Sequence, residues 1–136
     1  MVEEHATASV RGLIEDDGAT LLVKHEMPDG PVWGVPGGRA RIGEDPRAAV
    51  AREVYEETRL EVSVGDPLEA FSYTWDGGNE GVVSVVFACE RVDGTVDLSA
   101  NADRGEPVTD YRWVEPGCAG WADLPVAPAV RELLET

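Results

Sequence analysis

Residues 38–60 read GRARIGEDPRAAVAREVYEETRL. Asp45 is a good helix N-cap and Pro46 is at home at the first helical position, so the spacing predicts a helix over Pro46 to Thr58. Val50, Ala51 and Val54 would face inward, with Ala49 and Arg52 exposed on the other side. At about 100° per residue, Glu53, Glu56 and Glu57 fall within one arc roughly 100° wide. Three carboxylates held that close repel one another, and a hard cation among them relieves the repulsion. The competing reading is a solvated acidic face, because the chain carries 27 Asp plus Glu in 136 residues.

The flanking residues decide between the two. Gly38, Glu44, Arg52, Glu53, Glu56 and Glu57 stand at fixed separations, with apolar Val54 and Leu60 in register. This pattern resembles the signature box of the Nudix hydrolases, G-x5-E-x7-R-E-U-x-E-E-x-G-U, where U is apolar. The preceding Trp33-Gly34-Val35-Pro36-Gly37-Gly38 is similar to the W-x-x-P-G-G lead-in of that family, and Tyr111-Arg112-Trp113-Val114 resembles a late strand of its fold. One position departs: Arg59 stands where the family has Gly. A left-handed Arg at a helix end costs roughly 1 kcal/mol, so the departure bears on the helix terminus and leaves the carboxylates untouched.

Outside the box the chain punctuates itself into strands. Ala8 to Glu15 and Thr20 to His25 flank Asp16-Asp17-Gly18 and read as a hairpin. Met27 to Pro31 reads as a loop, Val32 to Val35 as a short strand, and Leu60 to Val64 and Leu68 to Trp75 as two further strands. The β-branched run Val82 to Ala88 reads as a central strand buried on both faces, and Tyr111 to Val114 as the last one. Val126, Ala129, Val130, Leu133 and Leu134 recur at helical spacing, which predicts a C-terminal helix starting between Pro125 and Pro128. The expected class is α/β: an α/β/α sandwich with a mixed β-sheet between helices, as the resemblance also implies. Residues 1–136 are expected to form a single domain.

Composition narrows the partners. The formal charge is -16, and Lys24 is the only lysine beside ten arginines. Such a balance resembles the acidic proteins of high-salt cytoplasms, the other reading being an ordinary acidic enzyme. It argues against a nucleic-acid polymer as partner, because no basic stripe is present to neutralise phosphates. A small phosphate substrate bridged by a metal escapes that objection. No apolar run of eighteen residues and no charged-then-apolar leader is seen, so neither a membrane span nor a secretory signal is expected and the location is read as cytoplasmic. Cys89 and Cys118 are expected as free thiols.

The resemblance implies the chemistry. Glu53, Glu56 and Glu57 would be ligands of Mg2+ or Mn2+, with the main-chain carbonyl of Gly38 as a further oxygen. The activity would be hydrolysis of a diphosphate linkage in a nucleoside diphosphate joined to another moiety, such as a nucleoside triphosphate or ADP-ribose, by water attack on phosphorus. Arg52 and Glu44 would pair across the turn and orient the site. The general base stays open between a box glutamate, Asp103 and Glu106, with Glu106 favoured because it lies just before the last strand. Gly37 and Gly38 would let the backbone approach the substrate. Trp75 is the stacking candidate for the base, on a strand whose Phe71 and Tyr73 share its side. His5 and His25 lack a partner motif and are assigned no chemistry. No proline stands about sixteen residues past the box, where ADP-ribose-cleaving members often carry one. A homodimer is left open. Two alternatives remain: a catalytically silent nucleotide-binding or regulatory module on the same fold, and glutamates that only decorate a salt-adapted surface.

Overall fold

A computed structural model describes residues 5–27, 30–75, 77–103 and 107–136, with only the backbone of Trp75. The hairpin forms from β1 (Thr7–Asp16) and β2 (Ala19–Met27). Asp17 and Gly18 both have positive φ, 53° and 82°, and Asp16 pairs with Ala19, the geometry of a tight two-residue turn. Both strands run longer than the sequence reading gave them. The expected loop from Met27 is corrected too: β2 continues through Met27 and β3 (Gly30–Gly34) begins at Gly30, extending the pairing with β2, while Pro28 and Asp29 lie outside the described residues.

After β3 come β4 (Gly37–Arg39), α1 (Pro46–Thr58), β5 (Glu61–Trp75), β6 (Glu80–Asp93) and β7 (Val108–Val114). A short 3-10 turn at Trp121–Asp123 then leads to α2 (Pro128–Glu135). The seven strands make one mixed sheet of order β3-β2-β1-β6-β5, with β4 on β1 and β7 on β2; β1 and β6 run parallel and the other pairs antiparallel. The two strands expected at Leu60 to Val64 and Leu68 to Trp75 are one, β5, whose register against β6 shifts around Pro67 because proline cannot donate to the ladder. β6 is central, between β1 and β5, but the expected two-sided burial fails at Val83, which is 48% exposed.

Each face of the sheet carries a helix. Ala49, Val50 and Val54 of α1 pack with Val10, Ile14, Leu21, Phe87 and Cys89. Val130 of α2 joins Leu13, Leu22, Trp33, Val35 and Val86 on the other face. The α/β/α sandwich read from the sequence is therefore the observed architecture. α1 sits very low on β1: a Cβ at Gly12 would meet Val54 Cγ2 at 3.1 Å and Cys89 Sγ at 3.0 Å. That depth corrects the expected helix face, since Ala49 is fully buried while Ala51 is only half-buried. Among the described residues, no helix is long and apolar enough to cross a membrane. Both cysteines are free thiols, and burial pushes Cys89 up to about 11.

Candidate active site

The first turn of α1 is fixed as the sequence dictates: Asp45 accepts a hydrogen bond from Ala48 N at 3.2 Å, and Pro46 opens the helix. Arg52, on the second turn, gathers the acids. Its Nε donates to Glu44 Oε2 at 2.7 Å and its Nη2 to Glu44 Oε1 at 2.8 Å, a two-pronged pair that ties the loop to the helix. Nη1 donates to Glu53 Oε1 at 2.7 Å and to Glu56 Oε2 at 3.2 Å, and Nη2 also reaches the Arg39 carbonyl at 3.1 Å. Arg41 adds its main-chain N–H to Glu44 at 3.0 Å and its guanidinium to Glu56 at 3.8 Å. These donors hold the Glu44 carboxyl down at about 2, the Arg52 bonds contributing most, and in turn the carboxylates, Glu44 first and then Glu53, raise Arg52 above its ordinary range.

The Gly-Gly step preceding the helix completes the arrangement. β4 is a three-residue strand that pairs with β1, and it brings Gly37 and Gly38 beneath α1. Gly37 N donates to Glu57 Oε1 at 3.3 Å, and Glu57 is only 2% exposed. Against Gly38 lies the Glu53 carboxylate, whose Cδ would stand 2.6 Å from a Cβ at that position. Carboxylates on successive turns, 53 and 57, thus converge on the same stretch of bare backbone. Such a set of oxygens suits a small hard cation. The missing Cβ at 38 is the observation that supports the fit, because it lets the Glu53 carboxylate meet the main chain directly. Among the described residues no three acidic, His or Cys groups form a cluster that could hold a metal ion, and Glu44, Glu53 and Glu56 are each paired with Arg52.

Asp103 is exposed in the turn after β6, and Glu106 lies outside the described residues. The Trp75 side chain also lies outside them. On the same strand Phe71 packs against the α2-side core, and Tyr73, 37% exposed, stacks on it with ring centroids 6.1 Å apart. Arg59 adopts the left-handed conformation expected of the usual Gly, φ 67° and ψ 11°, and its N–H caps Tyr55 O while its guanidinium lies 5.2 Å over the Tyr55 ring.

Sequence reasoning gave no role to His25 or Asn101. His25 Nε2 is buried with no hydrogen-bond partner among the described residues, and burial, with Arg11 nearby, lowers the imidazole to about 4. β2 carries no alternation that would have marked this burial in the sequence. His25 stays neutral when folded and takes a proton near 6.5 when unfolded, so its contribution is complete above pH 6.5 and is lost as pH falls toward 4. On the order of 3 kcal/mol is at stake across that window. His25→Leu should therefore flatten the fall of the urea midpoint between pH 6.5 and 5; an unchanged slope would exclude His25 as its source.

The NUDIX domain model matches residues 3–136. A MutT-like protein of Streptomyces ambofaciens is 29% identical over 82% of this chain and 65% of its own length. An ADP-ribose pyrophosphatase of Methanocaldococcus jannaschii is 32% identical over 75% of this chain and 61% of its own length. The chain thus spans under two thirds of both of these relatives. Among solved structures, a MutT NUDIX hydrolase from Burkholderia pseudomallei superposes with a TM-score of 0.81, covering 97% of this chain and 98% of that one at 23% identity, a likeness of fold.

Proposed function

Because the chain belongs to the NUDIX domain family, we propose that it is a divalent-metal-dependent pyrophosphohydrolase, cleaving a diphosphate linkage in a nucleoside triphosphate, ADP-ribose or a related nucleotide by water attack on phosphorus. The observation that carries this reading is the convergence of Glu53 and Glu57 on the Gly37-Gly38 backbone. Members of the family generally use divalent metals. Here Glu53, Glu56, Glu57 and the Gly38 carbonyl would hold Mg2+ or Mn2+, which when bound neutralises phosphate charge and lowers the pKa of water. Gly37 and Gly38, lacking side chains, let β1 and the Glu53 carboxylate close directly on the backbone, and the substrate would meet this step through its main-chain groups. Arg52 and Glu44 orient the carboxylates, and the proton of the attacking water goes to a box glutamate, to Asp103 or to Glu106. Residues 1–136 act as one domain in this reading.

The test is a panel of nucleotides incubated with Mg2+, Mn2+ or a chelator, with products identified to reveal which phosphorus is attacked. Metal-dependent release of a phosphate monoester is expected. Nucleotide binding without turnover would overturn the enzyme reading in favour of a silent module. Arg52→Lys offers a finer check. An ammonium cannot reproduce a planar fork shared among Glu44, Glu53 and Glu56, so turnover should fall roughly 10-fold to 100-fold while the fold persists. Steady-state kinetics beside a thermal melt would decide; unchanged turnover would leave Arg52 a mere loop clamp.

A further inference from the structure

A helix leaves its last four carbonyls without helical partners, and at α1 those carbonyls belong to the turn that carries Glu56 and Glu57. The chain beyond β6 supplies part of what is missing. Asp97 N donates to Thr58 O at 2.9 Å, and Asn101 Nδ2 donates to Glu57 O at 3.0 Å. The segment is itself braced, Ser99 N bonding to Asp97 Oδ1 at 2.9 Å and Asn101 N to Leu98 O at 3.1 Å. Asn101 is 2% exposed, and its Oδ1 is buried without a partner among the described residues. The amide orientation follows from chemistry, because the flipped amide would set an oxygen against the Glu57 carbonyl. An apolar residue would avoid the desolvation of that Oδ1, so the donor at Nδ2 is what the position uses.

From this geometry we propose that Asn101 is a positioning residue of the hydrolytic site, resting on the reading above. It ties the turn at residues 99–103 to the helical turn that holds Glu57. One side chain thereby holds the last turn of α1, and with it the carboxylates proposed to hold the metal, against the chain that follows β6. Asn101 touches neither substrate nor cation; it acts through the Glu57 main chain.

The experiment compares the wild type with Asn101→Asp, which keeps the shape but replaces the donor by a second acceptor facing Glu57 O. Turnover, KM, Mn2+ affinity by titration calorimetry, and amide hydrogen exchange over residues 55–60 and 97–103 are read together. Expected are a fall in kcat of roughly 10-fold to 100-fold with KM nearly constant, weaker Mn2+ binding by about 10-fold, and faster exchange at Arg59 and Asp97. Should Asn101→Asp not fold, Asn101→Ser, smaller and uncharged, carries the same comparison. A wild type that binds Mn2+ and turns over, matched in both by a variant that only melts earlier, overturns the positioning role alone. A wild type with no saturable Mn2+ site and no turnover overturns the hydrolase reading and this role with it.

Discussion

Glu57→Gln is expected to lower kcat on the order of 1,000-fold while leaving the fold nearly intact. The side chain is buried and its Oε1 accepts the Gly37 N–H at 3.3 Å. A glutamine keeps an oxygen for that bond and almost the same volume, so packing against β4 should survive. What it loses is a negative charge beside the place where a cation would sit, and such a ligand accounts for several kcal/mol of transition-state stabilisation, equivalent to several powers of ten in rate. Glu53→Gln should behave similarly. It also weakens the charge-assisted bond from Arg52 Nη1, so a slightly larger fall in melting temperature should accompany it. Kinetics at saturating Mg2+ together with thermal melts test both. Retention of activity by both variants would remove Glu53 and Glu57 from the proposed metal set.

Much of this site was legible because its determinants are local. Asp45, Pro46 and the spacing of Arg52, Glu53, Glu56 and Glu57 act within a few helical turns, and α1 forms over the residues they predict. Glu44 and Arg52 are eight apart, close enough for the turn between them to bring them together. Features that depend on distant strands were not legible. β4 is three residues long, two of them glycine, and becomes a strand only because β1 offers it a ladder. The burial of Ala49 follows from the depth at which Gly12 admits the helix, and alanine carries little polarity signal of its own. Asn101 had no sequence signal, because its partner is a helix-end carbonyl 44 residues away; Arg59 marked only the helix terminus as a departure. β5 read as two strands because Pro67 mimics a boundary, whereas the sheet absorbs it as a register shift.

The two glycines at the foot of the helix should respond in opposite ways to the same methyl group. Neither has the left-handed φ that would itself demand glycine, so contacts decide. At Gly37 a Cβ would stand 2.6 Å from Arg11 Cα and closer still to the Val10 carbonyl, both main-chain atoms of β1 that cannot move without breaking the pairing of β1 with β4. Gly37→Ala should therefore cost about 3 kcal/mol or more and lower the melting temperature by roughly 10 °C. At Gly38 the obstacle is instead the Glu53 carboxylate, the far end of a flexible side chain. Gly38→Ala should cost less than about 1.5 kcal/mol, because the carboxylate can swing aside. Swinging aside, however, takes Glu53 from the backbone it shares with Glu57, and turnover should fall on the order of 100-fold. Melting curves and kinetics on the pair separate the effects: a stable, inactive Gly38→Ala beside a destabilised Gly37→Ala is the expected pattern. A fully active Gly38→Ala would show that the close approach of Glu53 to the glycine backbone has no part in catalysis.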